Sequence, residues 1–304
     1  MQMKRLLREW KRFIKEDVQP GEFYPKRFDD FLNLMKDYED HLWVFFDTET
    51  TGLHYKEAHV QVTQIACVVY NIEGITEGKT PKQVETLNVK AALTQDVLNK
   101  IEQQDKENAG KELTDTEKKR TVRGLLDMNQ YFEEGADYLL MNDAIQQFDD
   151  FLKDMRSKSP SGEIVIIAQN SPFDVGVINT AYERLSLTVP DDKLWDTKAV
   201  LHTYLTPILG MIDKDKNADP KDIKIINALR KGDKFSSSLG DVTKAFDVDN
   251  KGWHNAINDT RMTMDMLFAV INYVKAKQDK YKIDTTSLST FDAKAGDPYS
   301  PKRS

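Results

Sequence analysis

The chain has 304 residues, 39% of them hydrophobic, and a formal net charge of −7. That length supports one large globular domain with appendages, and the acidic balance argues against a protein that coats duplex nucleic acid. The single cysteine, Cys67, excludes an intrachain disulfide framework. No apolar run is long enough to cross a membrane, and the basic start "MQMKRLLREWKRFIK" lacks the apolar core of a signal peptide. A reducing, cytoplasmic setting with no membrane partner is expected.

Residues 1–40 read as a helical extension. Met3, Leu6, Leu7, Trp10 and Ile14 recur at helical spacing, and Phe28, Phe31, Leu32, Met35 and Tyr38 mark a second helix over 26–39. The first is also basic, a pattern that serves either a nucleic-acid or membrane contact or a solvated face. "LWVFF" (42–46) is continuously apolar, as in a strand buried on both faces. "VQVTQIACVVYN" (60–71) and "QVETLNV" (83–89) complete a three-strand meander, with Gly74 and Gly78 in the intervening turn. Residues 91–138 are highly charged with patchy periodicity and read as exposed helical structure inserted beside the sheet; gripping substrate and passive decoration are both open. "LLMNDAIQQFDDFLKDM" (139–155) is a helix burying Leu140, Ala144, Ile145, Phe148, Phe151 and Leu152.

"EIVIIAQN" (163–170) is the next strand, and Ser171 with Pro172 suits the N-cap and first turn of a helix over 171–185. A short strand and helix follow at 193–205, then a polar loop at 211–222. Ser238 precedes a helix within 236–248, and residues 254–277 form the last long helix, with Asn255 as its N-cap. From Asp279 the composition is that of a polar tail. Strands first, then alternation with helices, predict an α/β domain over 41–278 built on a mixed sheet.

Asp47 and Glu49 terminate the first apolar strand two positions apart, so both side chains leave one face. Carboxylates so placed repel unless a cation or a shared proton relieves them. Asp174 opens one helix, and His254 and Asp259 open another. Strand ends and helix starts meet at one edge of an open α/β sheet, where ligands bind. Four carboxylates and an imidazole there suit two hard divalent ions, Mg²⁺ or Mn²⁺.

"FFDTETTGL" resembles the first motif of the DEDD-type 3′-5′ exonucleases, in the DnaQ-like, ribonuclease H-like superfamily. "IIAQNSPFDVGVI" resembles the second, and "FSSSLGDVTKAFDVDNKGWHNAINDTRMTMDML" the third in its histidine form. "LWDTKAVL" matches the strand and helix between the last two. The resemblance covers about residues 42–90 and 139–275. It implies a ribonuclease H-like mixed central sheet flanked by helices, here with an N-terminal helical extension. It also implies a two-metal phosphodiester hydrolase acting on the 3′ ends of single-stranded DNA. RNA as substrate, or a non-catalytic binding or scaffold role, remain the alternatives.

Carried over by the resemblance, Asp47 bridges both metals, Glu49 and Asp259 complete the first metal's ligands, and Asp174 holds the second. His254 is the general base. Thr50 and Thr51 lie near the terminal hydroxyl, Leu53 wedges against the last bases, and Asn170 and Phe173 line the terminal nucleotide's pocket. Gln64 is structural. The chain departs from the family at 1–40 and 91–138, and either addition could bind substrate or a protein partner.

Overall fold

A computed structural model describes residues 27–132, 136–190, 192–249 and 254–281. The basic helix expected before residue 27 and the tail expected beyond residue 281 lie outside them.

The first strand outruns its apolar stretch. β1 spans Leu42–Thr50 and so includes Asp47 and Glu49. β2 (Val62–Asn71) and β3 (Lys82–Ala91) follow antiparallel, joined by a turn in which Gly74 and Gly78 take φ of 76° and 91°. Only glycine enters that left-handed region at no steric cost. β5 (Ile164–Ala168) and β6 (Lys193–Asp196) then add parallel to the other edge of β1. With β4 (Tyr138–Leu139) the order is β4-β3-β2-β1-β5-β6, and β2 alone runs against the rest. This is the mixed sheet flanked by helices that the ribonuclease H-like expectation requires.

Each face of the sheet has its own core, sorted by strand alternation. Trp43, Phe45, Val68, Tyr70, Val165 and Ile167 face helices Phe28–Asp37, Thr206–Ile212 and Ala256–Lys277. Leu42, Val44, Phe46, Ile65, Cys67 and Val69 face helices Met141–Lys158 and Ser171–Arg184. Phe45 and Val44 have no exposed surface, and each contributes about 1.5–3 kcal/mol of burial. Two-sided burial explains the unbroken apolar run of β1. It also places Asp47 and Glu49 on the Phe45 side.

Four expectations need correction. Leu140 is 69% exposed, because it is the N-cap of its helix, one residue ahead of the first buried turn. Ser171 is not an N-cap; Asn170 is, in a left-handed conformation (φ 62°), and Ser171 begins the helix. The polar loop is shorter than 211–222, because Asp219 caps a helix at Pro220–Leu229 by accepting from the Lys221 amide. The insertion is not merely exposed. Helices Gln95–Asn108 and Val122–Met128, with Tyr131 after the second, enclose a small core of Val97, Ile101, Val122, Leu126 and Tyr131. Its last turn is tied to β3, where Lys90 Nζ donates to the Gln130 carbonyl at 3.1 Å and the Tyr131 hydroxyl to the Ala91 carbonyl at 3.0 Å.

Candidate active site

β1 pairs with β5 only from Leu42 to Phe45, so Asp47 to Thr50 project past the end of their neighbour. On the other side the strand stays paired to β2, with Ala66 opposite Asp47 and Gln64 opposite Glu49. The register slips between Glu49 and Thr50, a bulge of the kind that re-aims side chains at strand ends. The helix Ala256–Lys277 packs on the same face and brings in Asp259. One ligand oxygen from each of Asp47, Glu49 and Asp259 lies within 4.8 Å of the others.

Asp174 arrives from the opposite layer. Its Oδ1 accepts from the Thr48 amide at 3.0 Å and from the Thr48 hydroxyl at 2.7 Å. Thr48 alternates with Asp47 and Glu49 and points to the other face, so its amide, free of β5, is satisfied by a helix instead. Asp174 therefore stands beside the other three, tethered to the residue between two of them.

The charges are mutually unfavourable. Burial, then the neighbouring carboxylates Asp174, Glu49 and Asp259, push Asp47 well above its ordinary value. Burial, then Asp259 and Asp174, push Glu49 up to about 8. Asp174 and Asp259 rise to about 7, again chiefly through burial, against hydrogen bonds from Thr48 and from the His254 amide respectively. Asp259 Oδ1 is buried and has no hydrogen-bond partner among the described residues. A buried, unpartnered carboxylate oxygen among like charges is costly unless a cation meets it. The donor set, all oxygen and negative, fits a hard divalent ion.

His254 lies at the start of the Asp259 helix with φ 67°, a left-handed conformation uncommon outside glycine. Burial and then the charge of Lys119, from the insertion, lower its pKa. Asn255 is the N-cap as expected, accepting from the Ile257 amide at 3.3 Å. Gln64 has the structural place expected of it: its Oε1 accepts from the Ala256 amide at 3.3 Å and its Nε2 donates to Asn88 at 2.7 Å.

The remaining predicted residues divide. Leu53 is 55% exposed. Asn170 is at the turn after β5, its side-chain oxygen accepting from Lys198 Nζ at 3.1 Å. Phe173 is partly buried against the core and meets Tyr55 edge-on. Thr50 is buried and its hydroxyl donates to the Gly52 carbonyl at 2.7 Å. Thr51 is buried too, its hydroxyl donating to the His59 carbonyl and accepting from the Gln61 amide. Both threonine hydroxyls thus make hydrogen bonds within the loop.

Three residues of this region escape sequence reasoning. Thr48 positions Asp174. Asp196 accepts from the Asn170 and Lys198 amides at 3.0 and 2.9 Å, so it joins the end of β6 to the turn that launches the Asp174 helix. Lys119 comes from the insertion. Only Asp196 carries a local signal, an aspartate immediately before a helix.

No family model and no curated protein matches the sequence. Solved structures similar to this chain include E. coli exonuclease I in complex with a dT13 oligonucleotide, at 15% identity and TM-score 0.49 over 79% of this chain and 42% of that one. A product-bound structure of exonuclease I is similar at 14% identity and TM-score 0.48, over 80% and 47%. An exonuclease I–SSB-Ct complex is similar at 13% identity and TM-score 0.43, over 82% and 46%. The chain spans less than half the length of these proteins, and the likeness is too low to add to what its own strand order and carboxylates establish.

Proposed function

We propose that the protein is a metal-dependent 3′-5′ exonuclease that releases nucleoside 5′-monophosphates from single-stranded DNA. The observation that carries this reading is the meeting of Asp47, Glu49 and Asp259 around a buried oxygen of Asp259 that has no hydrogen-bond partner among the described residues, with Asp174 beside them. Such a cluster is poorly suited to a purely structural role, where apolar residues would pack without the repulsion.

In this proposal Asp47, Glu49 and Asp259 would hold one divalent ion, and Asp174 with Asp47 would hold a second. Bound there, the ions would offset charge on the phosphoryl oxygens and acidify the attacking water. The chain supplies the rest. His254, kept neutral near pH 7 by burial and by Lys119, accepts the water's proton on an imidazole nitrogen. Thr48 fixes the Asp174 carboxylate. Leu53, exposed on the loop after β1, packs against the terminal bases, and Asn170 and Phe173 flank the terminal nucleotide. A single strand splays its last nucleotide into such a site easily, whereas a paired end must first unstack at a cost of a few kcal/mol.

The test is polarity and product size on 5′-labelled DNA and RNA oligonucleotides with Mg²⁺ or Mn²⁺. A ladder from the 3′ end that vanishes with EDTA and in Asp47→Ala is expected, with DNA the better substrate. Activity in excess EDTA would remove the metal-dependent mechanism. Cutting of a covalently closed single-stranded circle would replace the exonuclease by an endonuclease. Faster cleavage of RNA would reassign the substrate.

A further inference from the structure

The loop between β1 and β2, residues 51–61, is fastened to the helix Ser171–Arg184 at both ends of that helix. Near its start, Gly176 faces the Tyr55 ring so closely that a Cβ would lie 2.5 Å from Tyr55 Cζ and 2.8 Å from its hydroxyl oxygen. Tyr55 also meets Phe173 with ring centroids 6.4 Å apart. At its last residue, the Arg184 guanidinium donates to three loop carbonyls, Val60 at 2.9 Å, Glu57 at 3.0 Å and Tyr55 at 3.5 Å. The loop closes on itself through the Thr51 amide, which donates to the Gln61 carbonyl at 3.1 Å. Leu53 stands on this loop, and Asp174 stands on the helix. The Leu53 loop and the Asp174 helix therefore form one body.

We propose that Arg184 is a positioning residue that fixes the Leu53 loop against the Asp174 helix and so sets the selectivity of the site for an unpaired over a paired 3′ end. The inference rests on the exonuclease reading for its substrate, and on contacts alone for the clamp. Arginine suits the task because its planar fork presents several donors in fixed directions, whereas a lysine ammonium is a single point. Acceptance by main-chain carbonyls leaves the Leu53 side chain, 55% exposed, outside the clamp. Arg184 is itself exposed, so its loss returns three carbonyls to water and spares the core, while the loop gains freedom. A wedge on a mobile loop discriminates poorly, because displacements of about 1 Å already cost large factors in rate.

The experiment compares Arg184→Gln, Arg184→Lys and Gly176→Ala with the parent. It measures kcat and KM on 5′-labelled single-stranded and blunt-duplex DNA, with hydrogen exchange over residues 52–60. In Arg184→Gln the ratio of kcat/KM between unpaired and paired ends should fall about tenfold, through KM more than kcat, and exchange in the loop should quicken. Gly176→Ala should lose selectivity in the same way, since it displaces Tyr55 with Arg184 intact. Arg184→Lys should recover only part of the loss. Unchanged exchange in Arg184→Gln overturns the clamp. Faster exchange with unchanged selectivity overturns its link to end choice, and full recovery by lysine assigns the effect to charge instead. Parent protein inactive on both ends would strike the exonuclease reading, and the selectivity with it, while exchange still judges the clamp.

Discussion

The amide and the hydroxyl of Thr48 both donate to one oxygen of Asp174, at 3.0 and 2.7 Å, across 126 positions of sequence. This pair joins the two layers of the protein beside the cluster of Asp47, Glu49 and Asp259. It also lowers the Asp174 pKa against the burial that raises it to about 7. Thr48→Val keeps the shape and removes the hydroxyl. The Asp174 pKa should then rise further, so the acidic limb of the pH–rate profile should move to higher pH and half-saturation by Mg²⁺ should need more metal. Stability should fall by about 1–3 kcal/mol, the range for a hydrogen bond to a charged group. A profile and a metal requirement identical to the parent's would deny Thr48 its role.

Stability without metal should depend on pH in an unusual direction. Glu49 titrates near 8 and Asp174 and Asp259 near 7 in the folded state, against about 4 in an unfolded chain. Between those limits the folded protein binds more protons than the unfolded one, so stability is fullest below about pH 4 and is lost as pH rises through 7–8. The metal-free melting temperature should drop between pH 5.5 and 8.5. Saturating Mg²⁺ should flatten the curve by neutralising the cluster. A metal-free protein whose melting temperature is level over this range, or rises, contradicts the electrostatics of the site.

His254 is the residue whose loss should separate chemistry from binding. His254→Ala should lower kcat by about 10²–10⁴-fold, with Mn²⁺ affinity by calorimetry within a few-fold of the parent's. At saturating metal, which holds the carboxylates ionised, the lowered His254 pKa places the histidine limb of the rate profile below the ordinary value of about 6.5, and that limb should vanish in the variant. An unchanged single-turnover rate would exclude His254 as the base.

The charge of Lys119, on the insertion, adds to burial in lowering the His254 pKa. Lys118, Lys119 and Arg120 are exposed together at this corner of an otherwise acidic segment. Replacing all three by glutamine should weaken binding of a long oligonucleotide about tenfold at low salt and reduce the slope of log affinity against log salt, by about 0.7 per lost phosphate contact. Hydrolysis of the p-nitrophenyl ester of thymidine 5′-monophosphate should change far less. Equal loss on both substrates would indicate a folding defect, and no loss on either a decorative segment.

Much of this site is legible along the chain. The run Val44–Phe46 must be buried on both faces, and its continuation into Asp47 and Glu49 forces two carboxylates onto one side of a strand end, because strand side chains alternate. Asn255 before an apolar helix announces a cap. These are local consequences of periodicity and hydrogen-bonding chemistry, and they place the strand, the helix and three of the four acids without reference to distant residues.

The partnerships were decided only when the layers closed. Thr48 reads as an ordinary strand threonine until β5 stops short and leaves its amide to Asp174. Thr50 and Thr51 follow the two acids as a bare polar pair, and only the folded loop shows that their hydroxyls donate to the Gly52 and His59 carbonyls. The insertion's apolar residues are too sparse to show a pattern, yet Val97, Ile101, Val122, Leu126 and Tyr131 make a core when two helices and the segment after them meet. Arg184 ends a helix like any basic residue, and its three carbonyl partners lie more than 120 positions away. Local sequence determines which groups a segment offers. Which of them stay available to a ligand depends on the hydrogen bonds and contacts that distant segments claim first, and that is set by the packing of the whole chain.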